Sequence, residues 1–170
     1  MDPILLLLRL VHVLLGVFWA GTIFFFAAFL LPSLGDIGPD AGKVMGALQK
    51  RNYVNVMPVI ALITIISGIL LFYKVSGGFS AAYPRSHYMG YGTGGTAAII
   101  ALAIGMILIR PAANRMGQIM QSMPSTPPGP EKDALLTEVQ KLRQRTALGS
   151  QIVAGLLLLA VILMAVTRYV

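Results

Sequence analysis

The chain has 170 residues, 56% apolar and 11% charged, with a formal net charge of +7 and no cysteine. A soluble domain carries about 25% charged residues, so this composition points to a membrane protein and excludes an ordinary water-soluble core. Zero cysteine excludes disulfides, thiolate metal sites, iron–sulfur clusters held by this chain and cysteine nucleophiles. One folded unit, a single domain over residues 1–170, is expected at this length.

Residues 4–31 are almost unbroken hydrocarbon, and their ionisable side chains are Arg9 and His12. A bilayer core about 30 Å thick needs roughly 20 apolar residues in a helix, so this segment is expected to span it. Met1-Asp2-Pro3 lacks the basic start of a signal peptide, and the apolar run is too long for a signal core. A retained first span is predicted. The following loop holds a short helix candidate from Asp40, a suitable N-cap, to about Asn52. Val44, Met45 and Leu48 fall on its one face while Lys43, Lys50 and Arg51 reach water, as in an interfacial helix.

Further apolar segments at 58–74, 94–113 and 148–167 complete an all-α, four-transmembrane-helix bundle. The run from Tyr83 to Tyr91 is expected in the loop between spans two and three. Its tyrosines surround Arg85 and His87, either as a site for an anionic headgroup or partner protein or as an aromatic belt packed over the bundle. Span three is expected to continue past Pro111 to Met123, and Leu135 to Ala147 to run as helix straight into span four. The prolines from Pro124 to Pro130 cannot continue a helix, which predicts a helical hairpin projecting from the membrane. That hairpin is either a solvated basic stem or a docking surface.

Loop charge orients the bundle. The first and third loops hold nine Lys and Arg, including Lys43, Lys50, Arg51, Arg110 and Arg115, against four on the other side, among them Arg85. The positive-inside rule places those two loops in the cytoplasm and both termini on the periplasmic side, with a bacterial inner membrane as the expected setting. These basic residues are candidate contacts for anionic lipid headgroups or partner subunits, and nucleic acid is not an expected partner.

An imidazole in hydrocarbon needs a partner, which singles out His12. Gly16 and Trp19, four and seven residues on, share its helix face, and Gly16 admits another backbone or a flat ligand. His87 and Met89 fall on the same side of the membrane, so a haem or copper site with His and Met ligands is chemically allowed. The competing reading has His12 bonded to a backbone carbonyl and the methionines packing. The spans carry no Asp or Glu at depth, so a carboxylate proton relay or transport pathway is not expected. Nor does a zinc motif, phosphate loop or Ser-His-Asp set present itself.

The pattern of His12, Trp19-Ala20-Gly21 and Pro32 resembles the first helix of the copper-resistance-D-like superfamily of small integral membrane proteins. This group includes a protoporphyrinogen oxidase type. The resemblance implies haem or metal binding by the histidine before the Trp-Ala-Gly turn, making His12 the ligand carried over. It covers roughly the first helix, and spans two to four hold no second histidine or lysine at a comparable place. The expectation for function is a non-catalytic accessory or structural subunit packed within a larger membrane assembly of electron transfer or photosynthesis. The alternative is a haem- or copper-binding relative of that superfamily.

Overall fold

The computed structural model describes residues 2–38 and 41–169, and among these it is helical with no strand. Asp40, the expected N-cap, lies outside the described residues. Helix α1 (Pro3–Phe25) starts where Asp2 accepts a hydrogen bond from the Ile4 amide at 2.9 Å, with Pro3 in the first turn where no amide is needed. The chain passes through a wide π-type turn at Phe26–Leu30 into α2 (Leu31–Ile37), which ends at Gly38 with φ +67°. Helix α3 (Ala41–Lys50) leads through left-handed Asn52 into α4 (Tyr53–Val75). Helix α5 (Arg85–Ile104) enters a second π-type turn at Gly105–Ile109 and continues as α6 (Arg110–Ser122). After a short 3₁₀ turn at Met123–Ser125, α7 (Pro130–Val166) runs for 37 residues.

The two wide turns share one cause. Pro32 and Pro111 are each the second residue of the helix that follows. A proline has no amide to donate, and its ring collides with the carbonyl four residues back. Widening the turn moves that carbonyl aside, and the residue before each proline bonds five residues back: Leu31 to Phe26 and Arg110 to Gly105. Both long helices thus bulge near the same end of the molecule without breaking.

Four helical stretches are long and apolar enough to cross a membrane: Pro3–Ile37, Tyr53–Val75, Arg85–Ser125 and Pro130–Tyr169. They form a bundle in which α1 pairs with α4 and α5 with α7, the pairs meeting along α4–α5 and α1–α7. Its core is built from Trp19, Ala20, Ala61, Ala98, Ala101, Val153 and Leu157, so most of the buried positions are small. Large side chains point outward instead, with Val17 and Ile107 69% exposed and Phe29 65%.

Three elements differ in extent from the sequence reading. Helix α4 starts at Tyr53, placing Pro58 inside it rather than at its start. Helix α5 starts at Arg85, so His87 belongs to its first turn and not to a loop. On α3, Val44 is exposed while Ala41 and Met45 face the bundle. Helix α3 packs across α6, where Gly42 lies under Met120 and Gly117 under Gln49. The expected hairpin is present: α6 and the first turns of α7 pack together around buried Ile119 and Val139.

Candidate functional site

His12 sits on the α1 face that meets α4. Its Nδ1 lies 2.8 Å from the Thr64 carbonyl oxygen. A carbonyl only accepts, so Nδ1 carries a proton and donates it. The same carbonyl accepts from the Ser67 hydroxyl at 2.9 Å, while the Thr64 hydroxyl turns back to the Ile60 carbonyl at 2.8 Å. Gly68 makes room for the ring: a Cβ there would stand 2.7 Å from His12 Cε1 and 2.9 Å from Nδ1. Thr64 was not singled out, because a backbone carbonyl leaves no residue-type signal.

One turn further, a Cβ on Gly16 would be 3.5 Å from the Thr64 methyl. Gly16 therefore admits α4 itself, and no flat ligand separates the two helices there. Trp19 continues the face into the core, 5% exposed beside Ala61. His87 lies elsewhere, its ring 5.5 Å from that of Tyr83 and 6.2 Å from that of Tyr91. Phe72 gathers Tyr83, Tyr88, Tyr91 and Phe79 around it with ring centroids 5.3–6.1 Å away. Met89 is 64% exposed, and Met164 packs over Gly94.

His12 offers one nitrogen, His87 and Met89 have different surroundings, and no group of three or more His, Cys, Asp or Glu is suited to a metal among the described residues. A haem slot at Gly16 and Gly68 is filled by the Thr64 methyl and the imidazole.

The candidate lipid and partner contacts divide. Lys43, Lys50, Arg51 and Arg85 are exposed. Arg115 forms a two-pronged ion pair with Glu138 across the hairpin, at 2.8 and 3.1 Å. Arg110 is half-buried and donates from Nη2 to Asn55 Oδ1 at 2.9 Å. It also borders a partly open cavity of about 90 Å³ at the end of the bundle covered by α3, lined by Trp19, Met45, Tyr53, Met57, Leu102, Thr146, Ser150 and others.

At the opposite end Lys74 reaches Asp2 at 3.0 Å. The Lys74 hydrogen bond, with help from the Ile4 amide, holds the Asp2 carboxyl below its ordinary range. The chain matches no family model, no curated protein and no solved structure.

Proposed function

We propose that this chain is a four-span integral membrane protein that acts as a non-catalytic accessory or structural subunit, packing against other membrane subunits. The observation that carries this reading is the outward face of α5. Gly92 and Gly95 stand there with nothing within 4 Å of where a Cβ would be, and exposed Ile99 and Ala103 continue the face. Without a hydrophobic driving force between helices in lipid, such small residues supply close backbone approach, the main source of helix association. The apolar exterior and small-residue interior support membrane residence, because a soluble bundle arranges these the other way round.

Purification in mild detergent tests the proposal. Co-purifying subunits are expected, and Gly92→Leu with Gly95→Leu should release them without lowering the thermal midpoint of the chain itself. A free monomer under the mildest conditions contradicts it. Membership of an electron-transfer or photosynthetic assembly is the narrower form of the proposal, tested by redox cofactors or pigments in the co-purifying subunits. The competing reading, haem or copper on His12, has one favourable observation: the Nδ1–Thr64 hydrogen bond leaves Nε2 able to bind. A Soret band or stoichiometric copper that disappears in His12→Ala would establish it in place of the structural role.

A further inference from the structure

Two residues that line the cavity under α3 each carry a buried hydrogen-bonding group that the protein does not use. Thr146 is 2% exposed, and its Oγ1 is buried without a partner. This is a departure within the chain, since Thr22, Thr64, Thr96 and Thr137 each turn the hydroxyl back to the carbonyl four residues earlier. The second group is Arg110 Nε, also buried without a partner although Nη2 is held by Asn55. Leaving such groups unsatisfied costs about 1–3 kcal/mol each, more for a charged one.

Both residues line the same cavity, with Tyr53 and Ser150 beside them and no Asp or Glu in the lining. Arg110 forms no ion pair among the described residues. A guanidinium donor, a hydroxyl and an uncompensated positive charge beside an apolar cavity complement an anion rich in acceptor oxygens. We propose that this cavity binds a phosphate group, with Arg110 Nε and the Thr146 hydroxyl as its donors. A space of about 90 Å³ accommodates a headgroup fragment and not a whole lipid. The phosphate belongs either to an anionic phospholipid whose chains remain outside or to free phosphate. Only the lipid source rests on the membrane reading above.

The test uses the full chain, delipidated in uncharged detergent, with thermal unfolding as the readout. Phosphatidylglycerol, phosphate-free diacylglycerol, and inorganic phosphate against chloride at matched ionic strength are added separately. Phosphatidylglycerol or inorganic phosphate is expected to raise the midpoint, and whichever does so identifies the source. Arg110→Gln, which keeps a donor for Asn55, should weaken that response roughly 10-fold or more, because hydrogen bonds to charged groups are the strong ones. Thr146→Val should weaken it as well, yet leave the ligand-free protein as stable as the parent or more so, since an unpaired hydroxyl is replaced by a methyl. Thr137→Val, outside the cavity and with its hydroxyl already bonded to the Asp133 carbonyl, should change nothing.

No response to either phosphate source overturns the proposal. So does an equal response to diacylglycerol, or a response that survives in Thr146→Val and in whichever of the two site variants folds. Failure of the membrane reading would appear separately, as a chain absent from membrane fractions, and leaves the inorganic phosphate arm intact.

Discussion

At the scale of single residues, the contact of His12 with α4 depends on what Gly68 lacks. Any Cβ at 68 displaces the imidazole and breaks the bond to the Thr64 carbonyl. Gly68→Ala is therefore expected to destabilise the bundle by about 1–3 kcal/mol, as overpacking does. Gly95→Ala, with open space around it, should match the parent or exceed it by up to about 1 kcal/mol, the gain in helix propensity. Chemical or thermal unfolding in detergent checks both, and equal effects would show that the His12 niche is not tightly packed.

Asp2 gives a pH signature of known sign. Its carboxyl is held below the ordinary 3.8, chiefly by the Lys74 hydrogen bond. A folded-state value below the unfolded one contributes stability above that ordinary value and loses it as pH falls through the lowered one. The midpoint difference between the parent and Asp2→Asn should hold steady from about pH 7 to 5 and close as acid protonates the parent. A difference that widens in acid would contradict the contact. His12 itself was legible from the sequence as a group needing a partner. The partner was not, because pairing a side chain with a carbonyl 52 positions away requires the register of two helices.

At the scale of elements, the hairpin of α6 and α7 was readable from its prolines and from the helical run Leu135 to Ala147. The start of α5 was not. Gly90, Gly92, Gly94 and Gly95 lower helix propensity there, and the tyrosines around them read as a belt. Tertiary packing reverses that preference: Gly90 lets Thr167 of the neighbouring helix end approach, a Cβ on Gly94 would stand 3.3 Å from the Ala160 carbonyl oxygen, and Tyr88 hydrogen-bonds the Ser80 carbonyl at 2.9 Å. The continuation past Pro111 was readable, but the π-type turns were hidden, since a proline in the sequence does not say how the turn before it widens.

The hairpin should be held by its buried apolar residues more than by its surface ion pair. Ile119 is 2% exposed, and Ile119→Ala is expected to cost about 2–5 kcal/mol locally. Limited proteolysis near Pro124–Pro130 should then accelerate in Ile119→Ala and barely change in Glu138→Gln. The reverse order would make the Arg115–Glu138 pair the main clasp.

At the scale of the whole molecule, helix lengths and surface chemistry agree on one arrangement. Helix α7 has 37 residues, about 55 Å of helix, whereas a bilayer core takes up about 30 Å. The remainder forms the stem with α6. Asp2, Lys74, the 76–84 connection and Thr167 gather at the opposite end, shown by the Asp2–Lys74 and Gly90–Thr167 contacts. On the proposed membrane reading the two ends face opposite sides, and the positive-inside rule predicts the more basic stem on the cytoplasmic side.

Single-cysteine labelling tests that placement most directly, because the chain has no cysteine of its own. Ser125→Cys at the stem tip, Ala81→Cys at the other end and Ile99→Cys on the apolar exterior are treated with a membrane-impermeant maleimide in oriented vesicles. The expected result is labelling of Ser125→Cys only from the cytoplasmic face, of Ala81→Cys only from the opposite face, and of Ile99→Cys from neither. Labelling of Ile99→Cys from water, or of both end positions from one side, would contradict a four-span membrane bundle.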